Sequence, residues 1–299
     1  MGHIINPLEL EKGLRADFMK SFNNAENPAD VMDMIMKTTS SSNKEKYGWL
    51  GQVAQLIEWK DERVVKGLNE FDYEIPNISY ESTLGVDRDD MEDDQLGGVK
   101  LRINDLAKRA KTHPRKLFYD ALIAGATNLC YDGQAFFSTS HSEGDSGTQS
   151  NLLTGTGSTV AQLKVDLNAA ISAMRSYKDD QGEPFNEGEM KLKIVAPVAL
   201  EGNLRELLNA QIISNTTNTL KGIASLELSS RLTDANDWYL INTAGAVKPF
   251  IMQERRKLTF EALEKGEKAF MSKKFHYGVD YRVGFGYGLW QKAVKTVNS

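Results

Sequence analysis

DRDDMEDDQLGGVKLRINDLAKRAKTH, residues 87–113, is the stretch on which the fold is read. Six of its first eight positions are acidic, and acids gather where a helix begins because aligned peptide dipoles leave partial positive charge there. Behind them Val99, Ile103, Leu106 and Ala110 recur at helical spacing, so residues 89–113 form the longest helical pattern in the chain. Clustered carboxylates also invite a hard cation, but acids opening a helix need none, and no metal site is read into them. Gly97 and Gly98 each weaken a helix by about 1 kcal/mol relative to alanine and mark a place to bend. Pro114 either kinks this helix or opens the next, whose Leu117, Phe118, Ala121 and Leu122 run to Gly125.

Upstream, Leu10, Leu14, Phe18 and Phe22 repeat every four residues, one apolar stripe on an N-terminal helix. Asn27-Pro28 ends it, Val31, Met34 and Ile35 indicate a second short helix, and residues 38–44 are polar. This arm has too little apolar surface to fold alone, so its stripe is expected to lie against another surface, with a soluble folded core left when residues up to Lys46 are removed. Residues 47–59 concentrate Tyr47, Trp49, Leu50, Val53, Leu56, Ile57 and Trp59, a density that belongs in a core or an interface. Phe71, Tyr73 and Ile75 alternate before Pro76-Asn77, and Ile78 and Tyr80 alternate after it, which reads as a two-stranded ribbon turning at Pro-Asn. A projecting hairpin is marginal alone and needs a partner.

Downstream, residues 132–156 are rich in Gly, Ser, Thr and Asn around a short apolar segment, Ala135-Phe136-Phe137. Val160, Leu163, Leu167, Ile171 and Met174 then mark an amphipathic helix, and residues 190–196 a buried strand. Pro197 opens a helix carrying Leu200, Leu204, Leu207 and Leu208. Beyond Ile213 the pattern turns to strands, ending in Gly284, Gly286 and Gly288 alternating with Phe285, Tyr287 and Leu289. Helices early and strands late give an α+β chain.

The 299 residues are 40% apolar and 26% charged, enough to bury a core and too apolar for wholesale disorder. A net charge of −5 and a pI near 5.6 exclude a dedicated nucleic-acid-binding module, which needs a concentrated basic face. Cys130 is the only cysteine, so an intramolecular disulfide and a thiolate-rich zinc or iron–sulfur site are excluded. No apolar run approaches the roughly 20 residues of a membrane span. The C-terminal glycines lie inside a strand pattern with no helix after them, which fits close backbone packing better than a phosphate loop.

One enzymatic reading rests on Asp132 and His141 beside Ser138 and Ser140, a nucleophile and base in a hydrolase. Adjacent residues on a strand face opposite ways, so Ser140 and His141 are poorly placed to share a proton, and a hydrogen-bonded structural histidine is the better reading. Cys130, between Leu129 and Tyr131, reads as a small buried residue. No catalytic residue, cofactor or metal is assigned.

Several motifs are specific and fall in order. Tyr47-Gly48-Trp49-Leu50-Gly51, then Ile57-Glu58-Trp59 and Arg63, resemble the early signature of Mu-type phage major head proteins. Tyr80-Glu81-Ser82-Thr83, Asp87-Arg88-Asp89-Asp90 and Asp93-Asp94-Gln95-Leu96-Gly97 extend the likeness. So do Tyr131-Asp132-Gly133-Gln134-Ala135-Phe136-Phe137 with His141, and the strand-then-helix at Val195-Ala196-Pro197.

The resemblance implies the tailed-phage major capsid fold: an N-terminal arm (1–46), a connector and extended β-ribbon loop (47–88), a peripheral domain with a long spine helix (89–189), an axial domain (190–245) and a return to the peripheral domain (246–299). It implies a structural subunit of the virion that forms hexamers and pentamers around packaged DNA without sequence-specific binding. Assembly would be in the bacterial host cytoplasm, with scaffolding protein, maturation protease and portal as separate chains and no membrane. Arm and ribbon would carry the contacts between subunits, through Leu14, Phe18 and Phe22, through Tyr47, Trp49, Trp59 and Arg63, and through Phe71, Tyr73, Ile75, Ile78 and Tyr80. Lys66 lies near the ribbon base without a matching set of asparagine and acid, so no lysine–asparagine weld is expected. A cellular nanocompartment shell of the same fold, or a protein that decorates the head, are the neighbouring alternatives.

Overall fold

The computed structural model describes residues 7–25, 29–47, 50, 73–87, 96–213, 215–263 and 273–298. Five helices are labelled α1 (Pro7–Asn24), α2 (Ala29–Met32), α3 (Leu96–Ala124), α4 (Val160–Ser176) and α5 (Glu201–Asn209). The spine helix expected over residues 89–113 is α3, and it runs on through Pro114 as one helix of 29 residues, about 44 Å long. The acids at 88–95 lie outside the described residues. A proline inside a helix removes one hydrogen bond and costs about 3 kcal/mol. Here both sides of the break are buried. Val99, Ile103, Leu106 and Ala107 pack into a smaller core, and Leu117, Phe118 and Leu122 into the main one. At about 1.5–3 kcal/mol for each large apolar side chain buried, either group outweighs the missing bond, so the helix continues.

The smaller core lies between α3, α1 and a four-stranded sheet. That sheet is ordered β1 (Ile35–Thr39), β11 (Phe250–Leu263), β12 (Lys274–Tyr287), β4 (Ile78–Asp87), with β1 parallel to β11 and the other pairs antiparallel. The ribbon expected to turn at Pro76-Asn77 is corrected. β3 (Glu74–Pro76) pairs with β2 (Lys44–Lys46) while β4 pairs with β12, so the segments on either side of Pro-Asn are not partners. Asn77 explains the switch. It is buried, its Nδ2 donates to Ser40 Oγ (2.6 Å) and the Ser42 carbonyl (3.0 Å), and its Oδ1 accepts from Gln253 Nε2 (3.0 Å). The chain thus crosses between sheets on a plugged junction and does not reverse. The alternating glycines of β12 clear its path: a Cβ at Gly286 would lie 2.6 Å from the Ile75 side chain, and one at Gly284 would lie 2.8 Å from the Pro76 carbonyl.

A five-stranded sheet forms the main core with α4 and α5, ordered β5 (Leu152–Thr154), β13 (Ala293–Val297), β10 (Trp238–Asn242), β6 (Leu192–Pro197), β9 (Ala224–Ser229). The helix expected from Val160 is α4, opened by a capping box between Thr159 and Gln162 and burying Leu163, Leu167 and Met174. Sheet membership does not follow the boundaries expected at 190–245 and 246–299, since β13 belongs to the C-terminal segment and β5 to the 89–189 segment. Hydrophobic strands find neighbours by pairing, and the closing strand of this sheet arrives from the far end of the chain. β7 (Ile212–Ile213) and β8 (Thr216–Thr217) make a separate small pair.

The arm differs most from expectation. Leu14 and Phe18 are 1% and 0% exposed, and Phe18 lies 4.8 Å from the Phe260 ring, against this chain's own α3 and long strands. The i, i+4 stripe fits the trough between α3 and β11–β12, so it is sheltered within the subunit. Arg115 pairs with Asp30, and Lys193 Nζ holds the Asp30 carbonyl (2.6 Å) and Asp33 (2.7 Å), binding α2 to the spine helix and β6.

Glu227 on β9 faces this clasp: Tyr119 donates to it at 3.1 Å, and Asp30 is within hydrogen-bonding reach, with Arg115 alongside. Burial, then the hydrogen bond with Asp30 and its charge, raise the Glu227 carboxyl to about 7. The folded state therefore holds an extra proton between the ordinary glutamate range and about pH 7, and this contribution to stability is lost as pH rises through that window.

Two outcomes follow from the arm's seating. Removal of residues 1–46 strips β1 from β11 and uncovers the smaller core, so the truncated chain should lose cooperative unfolding; a soluble core with a sharp denaturant transition would contradict the clasp. Glu227→Gln should flatten the fall in Tm between pH 5 and pH 8; an unchanged slope would remove Glu227 from that role.

Candidate functional site

The Asp132 and His141 of the hydrolase reading do meet, in the loop between α3 and β5. A bridge between Leu129 and Ala135 closes a tight turn, with Gly133 at φ 78°, and places Asp132 beneath it. Asp132 Oδ1 accepts from the Gln134 N–H (3.0 Å) and the Cys130 thiol (3.0 Å), and Oδ2 lies 2.6 Å from His141 Nδ1. A second bridge, between His141 and Gln149, sets the histidine backbone. The His141 ring stacks on Trp290 at 4.1 Å and 3°, and its Nε2 lies 3.1 Å from Asn151 Oδ1. Glu143 beside it accepts from Tyr131 Oη (2.6 Å), Trp290 Nε1 (2.5 Å) and Gln291 Nε2 (3.0 Å).

The electrostatics are those of a sealed structural cluster. Burial alone would raise the Asp132 carboxyl, yet the hydrogen bonds from His141 and Cys130 hold it below the usual range. Burial pushes the Glu143 carboxyl up and the Cys130 thiol far up, with Asp132 adding to the latter. The His141 and Asp132 side chains are 0% and 1% exposed, so no substrate reaches them. Ser140 Oγ contacts Ser138 Oγ (3.2 Å) and Gln134 (3.3 Å), so no nucleophile is aligned with His141. Glu143, Asn151 and Trp290 were not singled out in the sequence: Trp290 meets Glu143 across 147 positions, a pairing with no local signal.

The residues proposed as intersubunit contacts divide four ways. Besides Leu14 and Phe18, Tyr47 and Ile75 are buried in the main core, with Tyr47 Oη donating to Gln253 Oε1 at 2.7 Å. Phe22, Tyr73 and Tyr80 are half-buried: Lys111 sits over Phe22, Tyr73 Oη accepts the Tyr287 N–H (2.8 Å), and Tyr80 packs on His113 and Tyr281. Ile78 is 50% exposed on β4, at the edge of the four-stranded sheet. Trp49, Trp59, Arg63 and Phe71 lie outside the described residues, as does Lys66. Among the described residues the largest apolar exposures that periodicity missed are Leu101 on α3 and Ile212 on β7. Among the described residues no helix is long and apolar enough to cross a membrane.

His141→Ala should cost about 3–5 kcal/mol in denaturant unfolding, because Asp132 is left as a buried charge without its partner. A loss below about 1 kcal/mol would mean the pair is not clamped as described.

Comparison with known proteins gives one consistent result. The sequence matches the family model described as Mu-like prophage major head subunit gpT over residues 8–166 and 227–299. It is 29% identical over 291 residues to the Mu-like prophage FluMu major head subunit of Haemophilus influenzae, covering 95% of this chain and 72% of the relative. It is 28% identical over 295 residues to the major capsid protein of Escherichia phage Mu, covering 97% and 74%. Among solved structures, the procapsid of bacteriophage JBD30 matches with a TM-score of 0.59 and 27% identity, covering 99% of this chain and 77% of that one.

Proposed function

This chain belongs to the Mu-like prophage gpT major head subunit family, and on that premise we propose that its copies close into the hexamers and pentamers of an icosahedral head enclosing phage DNA. It is a structural major capsid protein of the virion and not an enzyme. The observation that carries the reading is the extent of the family match, which takes in α1, α3, the whole four-stranded sheet and strands β5, β10 and β13 of the five-stranded one.

The five-stranded sheet with α4 and α5 serves as the axial unit, and α3 with the four-stranded sheet as the peripheral one. Closed symmetry repeats each contact many times, so individual contacts can be weak. Ile78 is the contact best supported, being a large apolar side chain half exposed on an edge strand. Trp49, Trp59, Arg63 and Phe71 remain contacts on the strength of the sequence alone. The half-buried Phe22, Tyr73 and Tyr80 have further area to lose to a neighbour. Leu14, Phe18, Tyr47 and Ile75 serve indirectly, by holding the arm and the chain crossing in place. Scaffolding protein, maturation protease and portal act as separate chains during assembly in the host cytoplasm, with no covalent weld between subunits. The net charge of −5 suits a wall that must not hold DNA phosphates tightly.

Electron microscopy of the purified chain, with and without a co-expressed scaffold, should show closed shells; monomers or small rings under both conditions would contradict the reading. Ile78→Asp should leave subunit stability within about 0.5 kcal/mol and sharply lower the yield of shells. Normal shells from that variant would remove Ile78 from the interface.

A further inference from the structure

Cys130, Asp132 and His141 each offer one ligand atom, and the three atoms lie within 4.8 Å of one another. Asp132 sits between the other two, with the Cys130 thiol on Oδ1 at 3.0 Å and His141 Nδ1 on Oδ2 at 2.6 Å. The protons can be placed from geometry. Asn151 Nδ2 donates to the Phe136 carbonyl (2.7 Å), which orients the amide so that Oδ1 accepts from the Ser138 N–H (2.8 Å) and faces His141 Nε2 (3.1 Å). Nε2 therefore donates to Asn151, and one further proton lies between Nδ1 and the Asp132 oxygen pressed against it. With the thiol proton on Asp132 Oδ1, the cluster holds two protons on its inner edges.

We propose that this cluster is a binding site for one borderline-soft divalent ion of the zinc or cobalt type, which takes the place of those two protons. Binding forms bonds from the ion to Cys130 Sγ, an Asp132 oxygen and His141 Nδ1, and breaks the bonds to the thiol proton and to the proton between Nδ1 and Asp132, releasing both to solvent. Two positive charges enter as two leave, so the charge buried in the cluster is unchanged and no new uncompensated ion is created. The donor set of sulfur, nitrogen and oxygen is the one such ions prefer. The second nitrogen of His141 is already tied to a carbonyl oxygen, the outer support that metal-bound histidines use, and that oxygen is itself fixed by backbone groups.

Metal bonds of about 2.0–2.3 Å in a tetrahedron set ligand atoms about 3.4–3.6 Å apart, so the two close contacts open by under about 1 Å while Cys130 Sγ and His141 Nδ1, within 4.8 Å of each other, close by at most about 1.4 Å, with water as the fourth ligand. The Gly133-Gln134 turn above Asp132 is exposed while the Asp132 side chain is 1% exposed, so the ion loads as the loop folds. A bound ion would lock this loop against Trp290, which leads directly into β13. The inference stands apart from the shell reading, since neither needs the other.

The test is to unfold the tag-free full chain under reductant, refold it with excess Co²⁺, and remove free metal by gel filtration. One cobalt per chain should remain, with a near-ultraviolet thiolate-to-cobalt absorption that belongs to Cys130, the only cysteine. Cys130→Ser, with its fold verified by circular dichroism, should lose that band and retain at least about tenfold less cobalt. Refolded wild-type chain that keeps no cobalt, or keeps it without the band, would overturn the proposal whatever the variant does, and so would equal retention by Cys130→Ser.

Discussion

A single helix packed along its whole length against two different cores is the constraint on which the rest of this subunit depends. α3 buries Ile103 and Leu106 among α1 and the long strands at one end, and Phe118 and Leu122 in the main core at the other. Because both ends are held, the helix bridges its proline, and the four-stranded and five-stranded sheets keep a fixed relation. Apolar burial supplies the energy. The hydrogen bond lost at Pro114 is small beside it.

The second organising feature is the crossing of the chain over β12. Gly284 and Gly286 let Tyr73 to Pro76 pass at backbone distance, and Asn77 satisfies the buried junction with its side-chain amide. Glycine has its place here because a Cβ would strike the crossing strand. Together with the seating of α1, this packs Leu14, Phe18 and the Tyr73 to Pro76 segment against the subunit's own strands. Among the described residues, large apolar side chains left exposed include Ile78 on an edge strand, Leu101 on α3 and Ile212 on the small pair.

The polar cluster around His141 shows how a shell protein uses groups that elsewhere do chemistry. A carboxylate, an imidazole, a thiol and a second carboxylate are brought within contact and closed off by Trp290. Without access for a substrate, their strength goes into specifying one conformation of a glycine-rich loop that apolar packing alone would leave loosely defined.

Local patterns were enough for much of this. Helical spacing from Val99 to Ala110, the stripe on α4, the strand before Pro197 and the β-rich end were legible because periodicity of 3.6 or 2 is written into neighbouring residues. The ordered motifs likewise carried the family. What lay beyond them were partnerships between distant residues. Leu14 and Phe18 are an apolar stripe in the sequence, and only the trough between α3, β11 and β12 decides that the stripe is buried within its own chain. Pro76-Asn77 has turn chemistry, and only the register of β2 with β3 and β4 with β12 makes it a crossing. Trp290 meets His141 and Glu143, and β13 closes a sheet begun at β5, for the same reason: pairing and stacking depend on where the folded chain brings groups together, and linear order does not encode that distance.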